Sequence, residues 1–526
     1  MQDATCAEEP RKVELSATLR FAWSAALLLA ISLVFAIAVV GGHGFITDDV
    51  FFYLRIADSI ARGQGSSFNG VMPTNGFHPL WELVCVLERL LAGDRNHALL
   101  RVHLAVSGII SASTALVLAR FPRSTRVYLP IAALLTTLFV LRSIMGSEQH
   151  LSLLLLAWLI WRYRQPVGSD WSWGALLGLA LLARLDNVFA VAGLFCAYVM
   201  RDDTARIRKL VVAGAATGLV IAPYFAWNLL QFGHLQPISG AVKSGLAASI
   251  PFRADKLGAF GALLCCMSGA LVAVLIYLKD WRERDSLLWF GAGACVHALY
   301  TFFMIDAVWT WYFSTELMFV AVTLGDLFDR WSSREIAARQ LRSLTGAVAV
   351  ISVLAFSFAG LKAWRHLHSD TRSPWYIDAG QWFSAHLPAD AVIATACTPG
   401  ALGYFTRQPI IAFDGLTGDY AFQESLVNNG LIATLSSLGV THIISFGPEG
   451  ENLTHYVQQT ERMGHGGAGG AFYAETTPDG KYRASAVGLF SPFAKKVVGR
   501  YALSDADLVG QGFCALDLAV WRFLAH

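Results

Sequence analysis

Charge is scarce in this sequence. Asp, Glu, Lys and Arg make up 15% of its 526 residues, against about 25% in soluble domains. That excludes an ordinary soluble chain. Basic tracts suited to nucleic acid are also missing, the net charge being only +2, so no nucleic-acid partner is expected. No Gly-rich phosphate loop is present, no nucleophile elbow, and no internal repeat or inverted symmetry of the transporter kind. No His/Cys/Asp cluster has metal-ligand spacing. What is abundant is apolar sequence: 55% hydrophobic residues and a mean hydropathy of +0.49. Stretches of the ~20 residues needed to cross a hydrocarbon core recur. The chain therefore reads as a polytopic α-helical membrane protein. Its first apolar run, Phe21–Val40, lacks a convincing cleavage site and reads as a retained anchor.

The positive-inside rule sets the orientation. Arg11, Lys12 and Arg20 precede the first run, so the N-terminus is expected in the cytoplasm. The next strongly basic loop holds Arg120, Arg123 and Arg126, which allows one crossing in between, near 99–119. Residues 79–91 carry Glu82, Glu88 and Arg89 and read as a helix on or in the outer face. Further spans are expected near 127–142, 149–161, 172–184, 187–200, 210–230, 257–278, 286–304, 313–328 and 343–361, eleven in all. The chain divides into a membrane domain, 1–361, with an outer loop over 43–98, and a C-terminal domain, 362–526. In the latter, "DAVIATA", "QPIIAF" and "VTHIIS" look like short buried strands, and Ala421–Leu438 like a helix between them. This is a soluble α/β domain, expected outside the membrane. Cys397 and Cys514 fall in it, and pairing or two separate thiols both remain open.

Thr47-Asp48-Asp49 directly follows the first crossing. Capping is the plain reading, since acidic side chains are favourable at a helix N-terminus. Residues 50–62 would form an amphipathic surface helix, with Arg55, Asp58 and Arg62 on its polar face. Yet the helix and the following "PTNGFHPLW" make an ordered loop of about 55 residues, and long ordered loops are more often functional than connective.

The pattern "DD…YLRIA…TNGFHPLW" resembles the first outer loop of GT-C membrane glycosyltransferases, which take sugars from polyprenyl phosphates. Protein O-mannosyltransferases, lipid A aminoarabinose transferases and arabinofuranosyltransferases belong there, and the arabinofuranosyltransferase branch is the most similar. "GSEQHLSL" at 146–153, "LARLDN" at 182–187, "YFAWNLLQFGHLQPISGAVKSG" at 224–245, "WTWYF" at 309–313 and "PGALGYFTRQPIIAFDGL" at 399–416 extend the resemblance over nearly the whole chain. It implies a GT-C fold with about 11 transmembrane helices in a bacterial inner membrane and a periplasmic C-terminal domain. It also implies a catalytic Asp among Asp48 and Asp49, and a polyprenyl-phosphate-linked sugar as donor. The expected partners are that donor, membrane lipid, and an acceptor that is an envelope glycan, a lipid-linked saccharide or a secreted protein such as a pilin.

The chemistry is consistent. Transfer breaks a sugar C1–O bond through an oxocarbenium-like state. A carboxylate can take the acceptor's proton, and fixed positive charge can receive the phosphate. Neighbouring helical residues point about 100° apart, so one Asp is expected as base and the other as a positioning residue. Arg184, Lys243 and Arg55 are the candidates for the donor phosphate. Arg184 and Asp186 sit between two short apolar segments, where ionisable residues are costly and functional by default; a self-neutralising pair is the bland alternative. Lys243 and Arg55 have the bland reading of solvated loop and helix residues. Glu148 could cap a span or join the site. His78, Asn75 and Trp81 in "TNGFHPLW", and Trp311 and Tyr312 in "WTWYF", are candidates for substrate contact, although an interfacial aromatic belt would also explain the last two. A monophosphate donor does not require a metal, so no cofactor is expected to be obligatory. A divalent cation at Asp48 and Asp49 stays open. The rival functions are a flippase or transporter of polyprenyl-linked sugars and a non-catalytic envelope-assembly subunit.

Overall fold

The computed structural model describes residues 46–93, 96–118, 146–165, 169–201, 205–243, 258–278, 285–305, 308–332, 375–395, 398–413, 415–446, 471–476, 482–491, 496–513 and 518–525. The expected spans near 21–40, 127–142 and 343–361 lie outside these residues, as do Cys397 and Cys514.

The chain enters through α1 (Asp48–Ala61) and α2 (Pro79–Ala92). Pro79 opens α2 at a position where its missing N–H costs nothing. A membrane bundle follows: α3 (Asn96–Leu118), α4 (Gln149–Tyr163), α5 (Asp170–Ala183), α6 (Val188–Met200), α7 (Arg206–Phe232), the short α8 (Ile238–Lys243), α9 (Gly258–Tyr277), α10 (Asp285–Met304) and α11 (Ser314–Ser332). Among the described residues, four helices are long and apolar enough to cross a membrane by length and composition, within α3, α7, α9 and α10. The segments expected to span near 149–161, 172–184 and 187–200 are helices of 15, 14 and 13 residues, short of the ~20 a straight crossing needs. Arg184 breaks the helical run between α5 and α6 with extended backbone, and a 3-10 turn over Leu185–Asn187 follows.

The C-terminal region is α/β. Helix α12 (Trp375–His386) leads to β1 (Ile393–Thr395), α13 (Pro399–Phe405), β2 (Ile410–Ala412), α14 (Tyr420–Ser437) and β3 (His442–Phe446). Strand β1 pairs in parallel with β2 and β3, as helical crossovers between strands require. After β4 (Ala471–Thr476), β5 (Tyr482–Ser491) and β6 (Lys496–Ala502), strands β7 (Leu508–Phe513) and β8 (Leu518–Arg522) close the first sheet antiparallel, in the order β2-β1-β3-β8-β7. Strands β4, β5 and β6 form a separate antiparallel sheet.

Helix α1 corrects the expected surface-lying helix. Its Val50 through Leu54 and Ile56 through Ser59 are buried. On the polar side anticipated from Arg55, Asp58 and Arg62, Asp58 is buried and Phe51 packs on Tyr376, Tyr404 and Phe405 of the C-terminal region, while Arg62 stays exposed. One hydrophobic core thus runs from Val50, Phe51 and Leu54 through Trp81 to Phe383, Ile393, Leu402 and Ile443. The approach is backbone to backbone in places. A Cβ on Gly400 would run into the Asp48 carbonyl, and one on Gly76 into the Leu416 carbonyl.

Candidate functional site

Helix α1 fixes the first side of the site. Ile56 and Tyr53 lie within about 40° of Asp49 around the helix, and Phe52 within about 60°, and all four line one cavity of about 590 Å³. Arg55, six residues on from Asp49, points about 120° away by the same geometry. The structure does not bring Arg55 to the cavity. Its Nη1 faces Asp58 Oδ2 at 3.4 Å, in an open groove shared with Tyr404 and Arg407. Asp48 also stands apart. Its Oδ2 and Oδ1 accept the backbone N–H groups of Gly400 (3.1 Å) and Ala401 (2.8 Å), in the first turn of α13. Thr398 supports that turn in the left-handed region, at φ 36°. The two carboxylates face different partners.

The break between α5 and α6 supplies the second side. Arg184 Nη1 donates to Glu148 Oε1 at 2.6 Å, and Nε donates to Asp186 Oδ1 at 2.9 Å, with a further short contact to Asp186 Oδ2. This guanidinium is already matched by two carboxylates. The network continues inward. His297 Nε2 lies 3.6 Å from Asp186 Oδ2, and its Nδ1 is 2.8 Å from Glu316 Oε1. His297 and Glu316 were not singled out from the sequence, although an ionisable residue inside each of two apolar segments is the signal that marks them.

The third side is α8. It is clamped between the bundle and the C-terminal region, with Ile238 and Val242 packed on Tyr420. The Tyr420 hydroxyl donates to the Gln236 carbonyl (2.9 Å). This seating places Lys243 in the cavity wall. Tyr312 lies between the two cations, its ring centre 5.9 Å from both Arg184 Cζ and Lys243 Nζ. Among the described residues no carboxylate is within ion-pair distance of Lys243. Burial alone would lower the ammonium's pKa, but Tyr312 and Asp49 outweigh it and hold it above the ordinary lysine range. Burial raises the Asp49 carboxyl, Lys243 opposes the rise, and Glu148 adds to it; the net shift is upward. Asp49 accepts no hydrogen bond from any described residue.

His78, the residue before α2, lines the cavity. The Leu185 N–H donates to its Nδ1 (3.3 Å), and its Nε2 lies 3.8 Å from Glu148 Oε1. Burial pushes its pKa down to about 4, against the pull of Glu148, so the ring is neutral near pH 7. Of the other expected contacts, Trp311, Tyr312, Glu148 and Asp186 line the cavity. Asn75 and Trp81 do not. Asn75 is buried between Asn228 Oδ1 (3.2 Å) and the Ile238 N–H (2.9 Å), holding α7 and α8 in place. Trp81 is fully buried, edge-on to His103. Much of the remaining wall is apolar, including Val188, Phe189, Ile221, Phe225 and Ile305, with Gln236, Ser239 and Thr301 as polar exceptions. Leu416 and Thr417 of the C-terminal region complete it.

No family model matches the chain, and no curated protein matches it. Solved structures do. ArnT from Cupriavidus metallidurans bound to undecaprenyl phosphate superposes at TM-score 0.54 over 85% of this chain and 95% of its own, with 12% identity. The same protein in the apo state superposes at TM-score 0.51 over 84% and 95%, with 14% identity. Arabinofuranosyltransferase AftD from Mycobacteria covers 97% of this chain and 40% of its own, at 13% identity and TM-score 0.45, a similarity too slight to argue from. The chain thus shares the fold of ArnT, and four of its described helices are long and apolar enough to cross a membrane.

Proposed function

We propose that the protein is a glycosyltransferase that moves a sugar from a polyprenyl phosphate to an acceptor at the periplasmic face of a bacterial inner membrane. The observation that carries this reading is the pairing across one cavity of Asp49 with Lys243, where among the described residues Asp49 accepts no hydrogen bond and Lys243 has no ion-pair partner. Asp49 takes the acceptor hydroxyl's proton as its oxygen bonds to sugar C1. The C1–O bond to phosphate breaks, and its electron pair leaves with the polyprenyl phosphate. Lys243 receives that growing negative charge as a point cation. Arg184, matched by Glu148 and Asp186, acts as a fixed polar floor beside it. The apolar wall around Ile221 and Phe225 suits the first isoprene units. Neutral His78 and the Trp311 and Tyr312 rings border the space for the sugar. A pentofuranose such as arabinofuranose is the proposed sugar, and an envelope glycan, lipid-linked saccharide or secreted protein the proposed acceptor. The similarity to ArnT, solved with undecaprenyl phosphate, supports a lipid phosphate as ligand.

The test is transfer in liposomes from a panel of labelled polyprenyl-phosphate sugars to an envelope extract. One donor should be consumed, with label appearing on an acceptor, and Lys243→Met should slow that transfer. No donor consumed by the wild type, together with lipid scrambling across the bilayer, would overturn the transferase in favour of a transporter.

A further inference from the structure

Behind the cavity, α2 and α3 enclose a second polar cluster that the proposed reaction does not use. Cys85 and Glu88 lie one turn apart on α2, and His103 faces them from α3. One ligand atom from each lies within 4.8 Å of the others. All three are buried: Cys85 and His103 are 0% exposed and Glu88 is 2%. Glu82, 2% exposed, lies one turn before Cys85 on the same helix and feels the charge of Glu88.

The hydrogen-bond accounting leaves several buried oxygens of this cluster unpartnered among the described residues. His103 Nε2 is 2.6 Å from the Gly146 carbonyl, which can only accept, so Nε2 carries a hydrogen. In the neutral ring Nδ1 is then a bare lone pair. It lies 2.6 Å from Glu88 Oε2, another acceptor, and 3.9 Å from Cys85 Sγ. A proton could bridge nitrogen and oxygen. It would still leave Glu88 Oε1 and both oxygens of Glu82 buried with no partner among the described residues. Buried polar groups in that state are rare and costly. The neighbouring Arg89 is directed elsewhere, to Asp58 and the Gly93 carbonyl.

A divalent cation among the three would give the bare His103 lone pair and the Glu88 carboxylate a partner. Thiolate, imidazole and carboxylate together form a donor set that suits zinc. The Nε2–H bond to Gly146 is the kind of outer contact that fixes a ligating histidine's tautomer. Ligand atoms on a tetrahedral zinc stand about 3.4 Å apart, so the His103–Glu88 contact would have to open slightly to admit the ion. We propose that Cys85, Glu88 and His103 bind a structural zinc ion, with Glu82 as fourth ligand or outer partner. The ion would pin α2 to α3 and, through Gly146, set the turn that presents Glu148 to the cavity.

The full-length protein, purified in detergent without chelators, tests this by elemental analysis and by replacement of the bound metal with Co²⁺. One zinc ion per chain is expected, with a thiolate-to-cobalt charge-transfer band after replacement. Cys85→Ser should lose that band, and His103→Asn should lose the metal. Metal retained equally by wild type and both variants would overturn the site. The cobalt band is read on wild-type protein, so its absence there would overturn the site even if the variants do not fold.

Discussion

Helix α1 presents Asp48 to the C-terminal region and Asp49 to the cavity. Two neighbouring carboxylates thereby meet opposite surroundings. Asp48 has both oxygens bonded by backbone N–H groups at the start of α13, charge-assisted contacts that fix the side chain in place. Asp49 has no hydrogen-bond donor among the described residues, and a lysine across the cavity. A carboxylate left without donors, its pKa raised by burial, is the one placed to take a proton. One side of α1 fastens the molecule together, and the other is open to chemistry.

Substitutions can break this contrast. The largest effect is expected at Asp49. Asp49→Asn should lower transfer by about 10²–10⁴-fold, the usual contribution of a general base, with the fold intact. In the wild type, transfer should fall as pH drops through a value above the ordinary aspartate range, because burial raises this group and the base works only when deprotonated. Lys243→Met is next, with a loss of about 10²–10³-fold, the scale of removing one preorganised charge-stabilising group; Lys243→Arg should restore part of it.

Asp48→Ala should act on stability first. It strips two donors of a charge-assisted partner, at a cost of about 3 kcal/mol, read as a lower thermal midpoint in detergent, with residual transfer in the folded fraction. The smallest effect is at His78. Its folded pKa of about 4 lies below the ordinary 6.5, so between those values the unfolded chain binds a proton that the folded one does not. Stability should therefore fall as pH drops from about 6.5 to 4, by about 1–3 kcal/mol. His78→Asn, which keeps an acceptor for the Leu185 N–H, should flatten that part of the pH profile relative to wild type.

The sequence carried the position of the acidic pair, because the pair follows the first apolar run and opens a helix. The division of labour within the pair was not legible. It depends on Gly400 and Ala401, more than 350 residues away. The same distance hid the burial of α1. The pattern of Arg55, Asp58 and Arg62 marks a solvated face until Tyr376, Tyr404 and Phe405 are known to lie over that helix. Arg184 and Asp186 stood out as ionisable residues between short apolar segments and Lys243 as a cation in a polar outer loop, and the structure brings them to one cavity. His297 and Glu316 carried the same signal and were passed over. The Cys85, Glu88 and His103 cluster was invisible as a spacing motif because its histidine comes from the neighbouring helix. Strands β1, β2 and β3 were readable as short apolar runs between turn signals, and α14 as the helix between β2 and β3.

The most direct test of Asp49's role is a paired measurement of donor binding and single-turnover transfer for wild type, Asp48→Asn and Asp49→Asn in liposomes, with one labelled polyprenyl-phosphate sugar. A base on the open side of α1 predicts that Asp49→Asn binds the donor like wild type and transfers almost none of it. Asp48→Asn should transfer at a measurable rate once its folded fraction is counted. Transfer by Asp49→Asn at the wild-type rate per bound donor would contradict the account.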